Sequence, residues 1–169
     1  RPHLEIEFSF TQARLPTALM PIQSFVSKYI EDSPEAEILC LSPIEISADK
    51  LSALTWRILK RDRQLINDDP TIIRHLHDLS SLHALLDNHT SDFIDTAYNS
   101  FATDQMKGSR NTNADFSTSM ANAINLLKSD ALYKKEYQQF AKAMSYAPDS
   151  EQIEFDQAIT SLEAISKLF

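Results

Sequence analysis

SPIEISADKLSALTWRILKRDRQLINDDPTIIRHLHDL (residues 42–79) decides how the chain is read, because it holds two helix starts and the densest group of chemically able side chains. Ser42, Pro43 and Glu45 have the form of a capping box with proline at the first helical position, which predicts a helix carrying Lys50 in its second turn. Asp69 before Pro70 repeats the signal and predicts a second helix. On it His75 and Asp78 stand one turn apart, and therefore on one face. Periodicity assigns the buried stripes: Ile44, Leu51, Leu54, Ile58 and Leu59 on the first helix, and Ile72, Ile73, Leu76, Leu79, Leu82 and Leu86 on the second.

Upstream, HLEIEFSF (residues 3–10) alternates strictly, with Leu4, Ile6, Phe8 and Phe10 on one side, which is the pattern of a half-buried strand. Pro16 and Pro21 interrupt the chain after it; residues 22–30 then read as a short helix or irregular element, and EILCL (residues 37–41) as a short buried strand. Downstream, helices are expected near residues 92–102, 114–127, 131–145 and 150–168, the last opened by Ser150, Glu151 and Gln152 after Pro148. The polar residues 104–113 read as an exposed loop. No internal repeat or heptad array interrupts this order. The expected class is α+β and mostly helical, with a small sheet remnant over residues 1–42 followed by a helical domain over residues 43–169.

The composition is that of an ordinary soluble globular protein: 169 residues, 43% hydrophobic and 24% charged, enough for one domain with a real core. No apolar run approaches the roughly 20 residues of a membrane-spanning helix. A single cysteine, Cys40, excludes an internal disulfide and fits a reducing compartment; with no apolar N-terminal segment, the expected location is cytoplasmic. The thiol itself lies in an apolar strand without a neighbouring histidine and reads as a core residue. The net charge of −8 argues against a surface that binds nucleic acid all over. A sequence with one glycine, Gly108, cannot build a glycine-rich phosphate cradle. The chain opens at Arg1 directly into a strand-like run, which reads as a piece of a longer protein.

Four groups of residues carry possible chemistry. Glu5 and Glu7 project from one face of the first strand, roughly 7 Å apart, and such a carboxylate can complete a magnesium site, although solvent-facing glutamates are the commoner case. Lys50 offers a compact ammonium for phosphate. Lys50, Arg57 and Arg61, at seven- and four-residue spacing, form a positive stripe that is either a solvated helix face, the commoner arrangement, or a phosphate-binding one. Arg74, His75, His77 and Asp78 form the densest group: Arg74 and Asp78 are spaced to pair, and His75 and Asp78 to act as base and orienter or as metal ligands. His77 and Asp78 also spell the core dipeptide of HD phosphohydrolases, which need a further helical histidine upstream; the only upstream histidine is His3. No nucleophile-elbow sequence supports a serine hydrolase.

Together these residues resemble the nucleotidyltransferase toxins of the AbiEii/AbiGii family, the toxin halves of abortive-infection toxin–antitoxin systems. HLEIEF looks like the family strand bearing a catalytic-core carboxylate, best placed on Glu7, and PIQSFV like the segment after it. SPIEISADKLSAL looks like the serine-proline start and lysine motif, giving Lys50, and RHLHDL like the arginine-histidine and aspartate motif, giving His75 and Asp78. This resemblance spans roughly residues 1–86. It implies a DNA polymerase β-like nucleotidyltransferase fold, Mg2+ at Glu7, a nucleoside triphosphate (NTP) held by Lys50 and Arg57, transfer to an acceptor that in some relatives is a tRNA end, and an antitoxin partner. It also implies that a glycine motif and an aspartate pair precede Arg1, and that a chain without them is inactive alone. The alternative from a different class is a helical protein- or RNA-binding module without catalysis. A weaker third reading is a metal-dependent phosphohydrolase using His77 and Asp78.

Overall fold

The computed structural model describes residues 12–144 and 152–169, and the expected strand over residues 3–10 lies outside them. The chain divides into two compact units at the Ser42–Pro43 bond. As the composition of elements predicts, the fold is α+β and mostly helical, with one small sheet among the described residues.

In the first unit, β1 (Ala18–Ile22) pairs antiparallel with β2 (Ala36–Cys40), Met20 standing opposite Ile38. Pro21 lies inside β1 rather than ending it: among the described residues β1 pairs with β2 alone, and on its other side a proline's missing N–H costs no ladder bond to them. The helix α1 (Phe25–Tyr29) between them is capped by Ser24, whose side chain accepts from the Ser27 N–H. Glu35 accepts from the Ser24 N–H and from the Ser27 hydroxyl, and these bonds hold its carboxyl down at about 2. The chain leaves α1 through Glu31 at φ 56°, a position usually given to glycine. The strand read as buried is exposed, with Ile38 at 46% and Leu39 at 66%, and Cys40 is only half-buried. Among the described residues no further strand joins the ribbon, and two strands are too few to cover their own faces.

The second unit is a helical body arranged around α2 (Pro43–Lys60). Its first turn carries Glu45, and the expected stripe of Ile44, Leu51, Leu54 and Ile58 is buried, with Leu59 at its half-buried margin. Ser47, Ser52 and Thr55 are buried as well, so α2 is covered on more than one face. That is tolerable because each hydroxyl is satisfied: Ser47 and Thr55 donate to the carbonyls of Pro43 and Leu51, each at 2.8 Å, and Ser52 to the Asp104 carboxylate at 2.7 Å. Short side chains let three helices approach α2: α3 (Arg74–Asn88), α4 (Thr90–Gln105) and α5 (Phe116–Ser129). The helices α6 (Ala131–Met144) and α7 (Phe155–Ser166) complete the body, α7 lying along α3 and α5. Phe101 and Phe116 stack at 4.4 Å, and Phe169 packs edge-on against Phe116 at 5.1 Å, tying the chain end to this core.

The second helix start falls where expected, but in two pieces. Asp69 accepts from the Thr71 N–H, Pro70–Ile73 form one 3-10 turn, and α3 continues from Arg74. The last helix begins later than expected, because its reciprocal cap is Glu154 with Gln157, four residues beyond Ser150. Residues 104–113 are less exposed than their polarity implies: α4 runs to Gln105, whose side-chain oxygen accepts from the Thr112 N–H at 2.7 Å, and Asn113 takes the left-handed φ of 60° that asparagine tolerates.

One cation fixes the far end of α2. Arg61, its side chain 5% exposed, forks onto Asp68 with two bonds of 2.7 Å and onto Glu136 of α6 with bonds of 2.7 and 3.0 Å. Arg63 joins Glu136 to Asp130, and both guanidinium groups lie against the Tyr133 ring, at 5.3 and 4.3 Å. Removing one member leaves desolvated charges unmatched, so Arg61→Met is expected to cost about 3 kcal/mol in urea unfolding. Lys128→Ala, which breaks only the exposed pair with Glu163, is expected to cost less than about 1 kcal/mol in the same assay.

Candidate functional site

The helices α2 and α3 bring together residues far apart in sequence. Lys50 and Asp78 meet in a direct ion pair, their side chains 26% and 33% exposed. Arg74, the partner that helical spacing offered to Asp78, is exposed at the start of α3, and Asp78 turns instead to Lys50. Burial opposes ionisation of Asp78, but the His77 ring, with Nδ1 at 4.0 Å, and the Lys50 ammonium outweigh it and hold the carboxyl at about 2. The carboxylate is therefore charged at any physiological pH. Lys50 spends one of its three donors on it.

His75 stands beside this pair as a neutral ring. Burial, reinforced by the positive charges of Lys50, Arg74 and Arg57, pushes it down to about 4. Its Nδ1 is buried without a hydrogen-bond partner, so no base–orienter contact to Asp78 forms through that atom. His77 instead packs among aromatic rings, 5.7 Å from Phe140 and 6.1 Å from Tyr137. Arg57, one side of whose guanidinium reaches Asp69 at 3.4 Å, lies two turns beyond Lys50. The positive stripe is thus neither a solvated face nor a row of free cations: Lys50, Arg57 and Arg61 each meet a carboxylate. Arg61 is consumed by its two partners, whereas the charges of Lys50, Arg74 and Arg57 reach the His75 ring and outweigh the opposing charge of Asp78 there.

Glu7, the expected metal carboxylate, lies outside the described residues. Among the described residues no group of three or more His, Cys, Asp or Glu side chains could hold a metal ion. Asp78 is already engaged by Lys50, so the described residues do not by themselves fit a magnesium centre, and the His77–Asp78 dipeptide gains no further ligand. Among the described residues no helix is long and apolar enough to cross a membrane.

Sequence spacing marked Lys50, Arg57, His75 and Asp78, and the structure places the four on the facing helices α2 and α3. It passed over Asp69 as an arginine partner, since that residue already had a role in starting a helix. It also passed over Trp56, whose indole lies near the Arg57 and Arg110 guanidinium groups, 5.3 and 4.9 Å away. A tryptophan between two polar positions of an otherwise regular stripe was the available signal.

The family model described as nucleotidyl transferase AbiEii toxin, type IV toxin–antitoxin system, matches residues 1–161, and the chain belongs to that family. The match runs past residue 86 and through most of the helical body. No curated protein and no solved structure matches the chain.

The neutral state of His75 has a measurable consequence. Its folded value of about 4 lies below the ordinary 6.5, so the unfolded chain binds the extra proton as pH falls between the two, and stability present above pH 6.5 is lost toward pH 4. Asp78 acts in a lower window, from 3.8 down to about 2. The urea midpoint is expected to decline between pH 6.5 and 4.5, and His75→Leu to flatten that decline while leaving the steeper loss below pH 4.

Proposed function

We propose that this protein transfers a nucleotide from an NTP to an acceptor, acting as a cytoplasmic toxin restrained by a separate antitoxin protein. The observation that supports this most is the Lys50–Asp78 pair between α2 and α3, set beside the Arg57 and Arg74 cations whose charges also act on His75. In this reading an acceptor hydroxyl attacks the α-phosphorus, the bond to the α–β bridging oxygen breaks, pyrophosphate leaves with the electron pair, and the hydroxyl proton passes to solvent water. Lys50 and Arg57 take the negative charge that the triphosphate carries and that grows on the leaving pyrophosphate. Asp78 holds the Lys50 ammonium in place, and neutral His75 faces the acceptor or phosphate side without adding charge.

The family resemblance suggests an acceptor that in some relatives is a tRNA end. The family's chemistry employs a divalent metal, for which Glu7 is this chain's candidate ligand and Mg2+ the candidate ion. The first unit is read as part of the transferase sheet. The roles given to Lys50, Arg57, His75 and Asp78 all belong to side chains of the second unit, which the structure describes.

The experiment is incorporation of labelled NTPs into RNA by the intact protein, alongside growth arrest on expression and its relief by the antitoxin. Lys50→Ala and Asp78→Asn are each expected to lower incorporation by at least about 100-fold, the scale of losing one preorganised charge. Lys50→Arg keeps the charge and should retain part of it. Circular dichroism and the urea midpoint separate these losses from unfolding. Undiminished incorporation in folded Lys50→Ala would sink the reading and leave a helical binding module in its place.

A further inference from the structure

The C-terminal end of α2 and the segment leading to the 3-10 turn enclose a cleft of about 320 Å3, distinct from the Lys50–Asp78 contact but sharing Arg57 with the same cationic group. That volume is at the small end of the roughly 300–1,000 Å3 of ligand clefts. Its wall combines the Trp56 indole, Arg57, Leu65 and Ile72 with Asn67 and Asp69.

Two features point to the occupant. First, very few buried side-chain nitrogens among the described residues lack a partner, and two of them, Trp56 Nε1 and Arg57 Nε, belong to adjacent residues of this wall. Leaving a buried donor unmatched carries a desolvation cost, and a ligand acceptor removes it. Second, the lining charges cancel: Arg57, Lys60 and Arg61 stand against Asp62, Asp68 and Asp69. A polyphosphate gains little in such a cleft. A flat, uncharged ring gains from the apolar wall, offers carbonyl and ring-nitrogen acceptors to the N–H groups, and can donate amino hydrogens to Asp69 or Asn67. Both donors are closed off from water, so the ligand must shift a rim side chain to reach them; Leu65, 56% exposed, and the exposed Asn67 stand at that rim.

We propose that this cleft holds a nucleobase, with Trp56 Nε1 and Arg57 Nε donating to its acceptor edge while the attached phosphates lie toward Lys50. The proposal rests on the transferase reading for its biological role and names the base-recognition part of the same site. The base comes either from the NTP or from the end of an RNA acceptor, since both present the same ring.

Trp56 is the one tryptophan of the sequence, so its fluorescence reports on the cleft directly. Titration with the four nucleosides, which carry no phosphate, with NTPs, with inorganic triphosphate and with short oligoribonucleotides separates the sources. Quenching by a nucleoside and its NTP at millimolar concentration, but not by inorganic triphosphate, is the expected result and assigns the base to the donor. Quenching by oligoribonucleotides alone assigns it to the acceptor. Arg57→Lys keeps the charge but removes the Nε donor, and is expected to weaken nucleoside binding about tenfold, the equivalent of about one hydrogen bond. Where that variant does not fold, Asn67→Ala at the exposed rim is expected to weaken binding in the same direction. The proposal is overturned if no nucleoside or RNA changes the signal, if inorganic triphosphate quenches as well as an NTP, or if folded Arg57→Lys binds as tightly as the parent. Nucleoside quenching without NTP incorporation would keep the cleft and discard the transferase reading, whereas incorporation without any quenching would do the reverse.

Discussion

The helical body depends on Arg61 being answered in full. A guanidinium 5% exposed is tolerable only because its planar fork meets two carboxylates, Asp68 and Glu136, in paired bonds. Those carboxylates come from the segment after α2 and from α6, 75 residues away. The fork therefore does more than neutralise a charge. It fixes where the chain goes after α2, and so the direction in which Asp69 caps the 3-10 turn and α3 departs. The position of Asp78 opposite Lys50 is set by that departure.

Around the same helix the charges are distributed unevenly. At Arg61 and Arg63 two cations meet three carboxylates, Asp68, Asp130 and Glu136, over the Tyr133 ring, so no positive charge is left over there. Toward Lys50 the balance tips the other way, and the burial that neutralises His75 sharpens the difference by removing a possible further cation.

Much of this was legible in the linear sequence. Helix starts at Pro43 and at Asp69–Pro70 are short-range events, set by side chains within one turn of the backbone they cap, and both are found. The buried stripes also emerge, because 3.6-residue periodicity is a local property that packing then uses. Lys50, His75 and Asp78 could be singled out by residue type and spacing. Less legible were Pro21 within β1, admitted by an edge, and the exposure of β2, since a strand's pattern does not reveal how many neighbours will cover it. The start of α7 was misplaced because Ser150 and Glu154 both offer caps, and only the folded geometry shows Glu154 and Gln157 closing on each other.

The sequence by itself determined the element types, the apolar faces and a short roster of able side chains, because each of these depends on neighbours within a few residues. Tertiary structure alone decided the partners: Asp78 with Lys50 rather than with Arg74 one turn away, Arg61 with Glu136, Arg57 with Asp69 beside an indole. The physical reason is that an ion pair on an exposed helix face gains little in water, whereas one formed where two helices exclude water gains enough to hold a particular geometry, and where water is excluded is settled only when the helices pack.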